Sequence, residues 1–243
     1  MTTHPATTPD AAAALLGLCA GIERTLRDRH RLARVHGLRD VLHEAHSAGD
    51  PSVVFYRESL LGLAELHGVV LRSRDGGGTP VAPPLPETLA RAERLAQEIA
   101  RPTPALRFAS SALSRASSSE ALGPRLVEMR RRDFSQVPVY DAGVFAGLLT
   151  TNAVARWLAG QLDDRGDAIV EDVHVRDVLP YVEEHEVARF ASRHTAACEV
   201  VALLLGERPP LAVVFTESGR ETEPPLGLLV GADLPELLAA LAV

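Results

Sequence analysis

The stretch Phe134 to Trp157, FSQVPVYDAGVFAGLLTTNAVARW, decides the fold of the second half of this chain. Gln136 to Tyr140 (QVPVY) and Gly147 to Thr150 (GLLT) are short runs of strand formers, separated by a turn around Asp141 to Gly143. Asn152 to Leu158 then returns to helical spacing, so the stretch reads as a hairpin followed by a helix. The same order recurs downstream: Pro209 to Thr216 (PPLAVVFT), a polar turn at Glu217 to Pro225, Leu226 to Val230 (LGLLV), and Asp233 to Leu241. Ahead of each hairpin lies a run with helical spacing. Glu120 to Arg132 carries Val127 and Met129, and Glu184 to Leu205 carries Val187, Phe190, Val200, Val201 and Leu204. Each repeat therefore predicts strand, helix, strand, strand, helix, the first over residues 103–165 and the second over 166–243.

This repeat resembles the tandem CBS domain, named for cystathionine β-synthase, with Phe134 to Trp157 as the best-matching piece of the first copy. Leu211 to Phe215 and Gly227 to Leu238 match in the second. The resemblance implies a compact pair that binds adenosine-type ligands in the clefts between its copies. It also implies a hydroxyl residue at the turn into the last helix and, three residues on, an Asp whose carboxylate accepts from the ribose hydroxyls. Thr150 stands at the hydroxyl position of the first copy, but the carboxylate position is Ala153; the second copy has Val230 and Asp233. Each site is half-equipped. The alternative role for Thr150 and Asp233 is helix capping, and Asp233, followed by Leu234 and Pro235, has the sequence of an N-cap. Arg130, Arg131 and Arg132 could pair with phosphate or simply complement a helix C-terminus. Ser135 and Gln136 offer donors to a base edge or a phosphate, or to a strand edge. With Thr151, Asn152 and Thr216, these complete a ligand-binding set of Thr150, Asp233, Ser135, Gln136, Thr151, Asn152, Arg132 and Thr216.

Residues 1 to 10 read as a frayed tail with Asp10 as a possible N-cap. Behind it, Leu15, Leu18, Ile22 and Leu26 predict one helix, Leu38, Val41, Leu42 and Ala45 a second, and Val53, Val54, Leu60, Leu63 and Leu66 a third. Gly76 to Pro86 reads as a Gly/Pro-rich loop, and Glu87 to Ala100 as a helix that Pro102 stops. The fold class is thus mixed α and β: an all-α domain over 1–102, then the paired β-α-β-β-α repeats. The helices resemble HEPN-like domains. Active members cleave RNA with an Arg, a polar residue and a His, yet Leu66 to Arg72 (LHGVVLR) has His67 in the Arg position and Arg72 in the His position. That departure argues against catalysis, because a guanidinium cannot replace an imidazole as general acid and base. Asp40, His43 and His46 share a helix without the spacing of a zinc hydrolase and read as a solvated face.

Composition narrows the class further. A formal charge of −7 with 46% hydrophobic residues excludes wholesale disorder and makes nucleic-acid binding an unfavoured role. All 25 basic residues are Arg, which excludes lysine chemistry, and Cys19 and Cys198 form no paired motif. No stretch approaches ~18 uninterrupted apolar residues, which points to a cytoplasmic protein without a membrane partner. The expectation is a non-enzymatic, homodimeric sensor of an adenine nucleotide or dinucleotide, without a metal or a cofactor. A CBS-regulated HEPN-type ribonuclease and a ligand-free dimerisation scaffold are the alternatives.

Overall fold

In the computed structural model the chain is described over residues 8–72, 84–111, 114–162, 166 and 171–243. It divides into two compact units, a helical one up to Thr103 and a mixed one from Pro104 to Ala240.

The helical unit contains α1 (Thr8–His30), α2 (Leu38–Ser47), α3 (Pro51–Phe55), α4 (Arg57–Arg72) and α5 (Pro86–Ala100). Helix α1 starts before Asp10, so that residue lies inside the helix rather than capping it. The buried stripe of α1 is Ala12, Leu15, Cys19, Ile22 and Leu26, spaced three and four apart, with Leu18 half-buried at its edge. Leu38, Val41, Leu42 and Ala45 of α2, Leu60 and Leu63 of α4, and Leu95 and Ile99 of α5 close the core. The expected third helix is two. Buried Tyr56 interrupts it, and α3 begins on Asp50, whose carboxylate accepts from the Val53 N–H at 3.1 Å. The loop expected at Gly76 to Pro86 lies mostly outside the described residues, as do residues 1–7 of the tail.

The mixed unit begins with a 3₁₀ turn at Ala105–Phe108 and continues with α6 (Leu122–Arg132), β1 (Gln136–Asp141), β2 (Val144–Thr150) and α7 (Thr151–Gln161). There follow α8 (Val175–Val178), β3 (Ala188–Ser192), α9 (Ala197–Leu204), β4 (Ala212–Thr216), β5 (Gly227–Val230) and α10 (Leu234–Leu241). The second repeat has the expected order. β3 runs parallel to β4 and β4 antiparallel to β5, with α9 as the crossover. The helix expected over Glu184 to Leu205 is corrected here: its first part is β3, because residues 188–192 pair in parallel register with 212–216, and only Ala197–Leu204 is helical. In the first repeat the leading strand shrinks to a single parallel bridge, Ala116 to Val139. The Ala116 N–H donates to the Pro138 carbonyl at 3.1 Å, and the Tyr140 N–H to the Ala116 carbonyl at 2.8 Å.

Among the described residues, two apolar clusters of this unit bear on the site. Val137, Val139 and Leu149 of the first hairpin pack with Leu122 and Met129 of α6, Ala153 and Trp157 of α7, and Val175 and Val178 of α8. The segment between the hairpins thus supplies core to the first repeat. Leu148 and Phe145 of β2 pack against Ala212, Val214 and Leu228 of the second sheet, which joins the repeats face to face.

Candidate functional site

Strand register positions the site. Gln136 pairs with Thr150 at the point where β2 runs into α7, and Ala212 pairs with Val230 at the point where β5 runs toward α10. The two repeats thus place Thr150 and Val230, and three residues on Ala153 and Asp233, at corresponding strand-to-helix junctions. The two junctions are built differently.

Beside Asp233 a cavity of about 290 Å³ is lined by Ser110, Ser114, Asp133, Phe134, Ser135, Gln136 and Pro138 from the first repeat and Leu228, Val230, Ala232 and Asp233 from the second. The chain enters α10 through a 3₁₀ turn at Gly231–Asp233. Asp233 is not the N-cap its sequence suggests: Val230 takes the cap position, and Asp233 Oδ2 reaches back to accept the Val230 N–H at 2.8 Å. Ser135 Oγ donates to Gln136 Oε1 at 2.7 Å, leaving the Gln136 amide donors available to a ligand. The Ser114 hydroxyl is held between Arg125 Nη1 at 2.5 Å and Glu128 Oε1 at 2.9 Å. Phe134 supplies an aromatic surface, and the Arg132 guanidinium lies 5.9 Å from its ring centroid. Arg132 itself is half-exposed, pairs with Glu128 at 3.6 Å and does not line the cavity. The cavity therefore combines two carboxylates, Asp133 and Asp233, with amide and hydroxyl groups, a ring and apolar walls, a set suited to recognition.

The Thr150 junction is closed by hydrogen bonds instead. Thr150 is buried; its Oγ1 accepts the Ala153 N–H at 2.9 Å, capping α7, and donates to Glu186 Oε1 at 3.1 Å. Glu186 is 1% exposed. Its other oxygen takes the Glu183 N–H at 3.0 Å and a charge-assisted bond from Arg156 Nη2, and the Asn152 side chain also bonds to the carboxylate. Burial pushes the Glu186 carboxyl up, but the Glu183 amide, Thr150, Arg156 and Asn152 outweigh it and hold it below the usual range.

The sequence-derived set therefore separates into three groups. Asp233, Ser135 and Gln136 meet in the open cavity. Thr150 and Asn152 meet at Glu186, and Thr151 is exposed beside them, its N–H donating to the Ser135 carbonyl at 3.0 Å. Thr216 belongs to neither. It ends β4 four residues beyond Ala212, ~13 Å along the strand, where its hydroxyl accepts the Gly219 N–H at 2.9 Å. The groups missed are Ser110, Ser114, Asp133 and Phe134 in the cavity, and Glu186 with Arg156. Glu186 ends the acidic run EEHE, which reads as solvated surface.

The helical unit offers less. His67 is half-buried and burial depresses its pKa, so the neutral ring dominates near neutral pH. A wider depression of about 610 Å³ beside α1 is bounded by Arg24, Arg27 and Arg31 together with Glu23 and Asp28. Arg27 there is already engaged by Glu23 and by the Leu32 and Ala33 carbonyls. Among the described residues no cluster of three His, Cys, Asp or Glu side chains could hold a metal, and no helix is long and apolar enough to cross a membrane.

No protein-family profile and no curated protein matches the chain. Its structural neighbours are CBS-domain proteins. One, a CBS domain-containing protein of unknown function from Kribbella flavida, is 17% identical with a TM-score of 0.45, over 56% of this chain and 99% of its own. The CBS domain of a bacterial CNNM/CorC family Mg²⁺ transporter, solved with ATP, is 17% identical with a TM-score of 0.41, over 56% of this chain and 87% of its own. A CBS domain pair solved with 5′-methylthioadenosine and S-adenosyl-L-methionine is 14% identical with a TM-score of 0.40, over 57% of this chain and 98% of its own.

Proposed function

We propose that this chain is a non-enzymatic regulatory protein whose CBS-like pair binds one adenosine-type ligand in the cavity beside Asp233. Binding then biases the arrangement of the helical unit or of a partner, with the chain acting as a homodimer. The observation that carries this reading is the convergence of Asp233 from one repeat with Ser135 and Gln136 from the other on one cavity. Asp233 uses one oxygen on Val230, so the carboxylate keeps acceptor capacity for a sugar diol. The Phe134 ring and the apolar wall at Leu228 and Val230 suit a flat base, and the volume stands at the lower end of the ~300–1,000 Å³ common for small-molecule sites. Regulation requires only that the ligand bind one arrangement of the protein better than another.

The test is a thermal-shift panel with AMP, ADP, ATP, cyclic di-AMP, NAD and S-adenosylmethionine on the full chain and on Asp233→Ala. A ligand at ~100 times its Kd adds about 2.7 kcal/mol to native stability. The substitution also removes the bond to Val230, so the quantity compared is the ligand-dependent increment in each protein. A specific increment that collapses in Asp233→Ala supports the reading. No increment with any nucleotide leaves the scaffold role, and an undiminished increment in the variant moves the ligand out of this cavity.

A further inference from the structure

We propose that Glu186 is a built-in occupant of the first cleft, standing where an anionic ligand would bind and restricting the chain to a single ligand site. The equivalence of the two clefts rests on the reading above; the donor set around Glu186 does not. Four donors converge on this one carboxylate: the Thr150 hydroxyl, the Arg156 guanidinium, the Glu183 N–H and the Asn152 side chain. Such a set, converging on an oxyanion that is itself 1% exposed, is what a receptor presents to a phosphate or carboxylate ligand.

The principal donors are also anchored without Glu186. Arg156 Nε donates to the Tyr181 carbonyl at 2.9 Å, and its Nη1 lies 3.6 Å from Glu183 Oε1. Thr150 Oγ1 is held by the Ala153 N–H. Trimming the carboxylate therefore leaves a preorganised cationic site rather than a collapsed one. The two clefts differ in chemistry: Ala153 stands at the position that Asp233 takes in the open cleft, and Ser110 and Ser114 line the open cavity together with the carboxylates Asp133 and Asp233.

The experiment uses inorganic phosphate as the probe, against chloride at matched ionic strength, on wild type, Glu186→Ala and the double variant Glu186→Ala/Arg156→Ala. In chloride, Glu186→Ala melts below wild type. Phosphate then raises its melting temperature along a saturating curve, and that saturating component is absent from wild type and from the double variant. General salting effects would move all three proteins alike, and an equal response of the three overturns the proposal. If Glu186→Ala does not fold in chloride, its refolding yield in phosphate against chloride answers the same question. Recovery only in phosphate, and only with Arg156 present, supports the occupant role; equal yields refute it. Nucleotide binding plays no part in this readout, so loss of the Asp233 reading and loss of this one give different results.

Discussion

Replacing Asp50 tests the reasoning where the geometry is most completely specified. The side chain is 3% exposed in the helical unit, and its carboxylate accepts from the Val53 N–H at 3.1 Å, Arg29 Nη1 at 2.8 Å and His30 Nε2 at 2.9 Å. In Asp50→Ala the lost N-cap costs ~1 kcal/mol. Deleting one partner of a fully buried ion pair costs ~3–5 kcal/mol, but Arg29 keeps 32% exposure and its bond to the Ile99 carbonyl, which reduces that part to about 2 kcal/mol. The expected loss is about 3 kcal/mol, about two decades in the equilibrium constant of the helical unit. Urea denaturation followed by far-UV circular dichroism measures it, and Asp50→Asn, which retains a capping oxygen, should lose about 2 kcal/mol. Acid provides an independent check. Burial pushes the Asp50 carboxyl up, yet Arg29, His30 and Val53 hold it below the ordinary value. Its contribution is therefore complete above the unfolded pKa of ~3.9 and lost as pH falls through the lower folded one. The gap between wild type and Asp50→Ala should narrow over that window. A loss under ~1 kcal/mol at neutral pH, or a gap that does not change on acidification, refutes the account.

Two further substitutions follow from backbone geometry. Ala142 and Gly143 join β1 to β2 as a two-residue turn, both at positive φ (50° and 84°), with Asp141 paired to Val144. Ala142→Asn, suited to the left-handed region, should stabilise the mixed unit by ~0.5–1 kcal/mol in thermal or urea unfolding, and a neutral or negative effect counts against strain at this turn. At Gly227 an added Cβ would sit 2.8 Å from Ala109 Cβ and 2.9 Å from Leu106 Cδ1, so Gly227→Ala should cost ~1–3 kcal/mol through overpacking. Wild-type stability in differential scanning calorimetry would mean that the 3₁₀ turn at Ala105–Phe108 yields freely.

Local patterning accounts for what was legible. The hairpin turn around Asp141, the apolar spacing of α1, α2 and α5, and the recurrence of QVPVY as LAVVF are all properties of nearest neighbours and periods. The position of the second repeat's leading strand, β3, was not legible, because Val187 and Phe190 stand three apart and mimic a helix; only the parallel pairing of Ala188–Ser192 with β4 makes that segment a strand. The break at Tyr56 was hidden in the same way, by an apolar run that continues across it.

The resemblance to the tandem CBS domain is what singled out Thr150 and Asp233, whereas the residues alone indicated that a helical half precedes a mixed half in which a hairpin-and-helix order recurs. Local spacing carries that information, because each element needs only its own residues to declare a face and each junction only its own turn. Tertiary structure alone decided that Asp233 meets Ser135 and Gln136 across more than 90 residues, that Thr216 lies at the wrong end of its strand, and that the Thr150 junction is closed by Glu186. Those outcomes depend on strand register and on a buried charge finding its donors, and neither is visible until distant segments pack together.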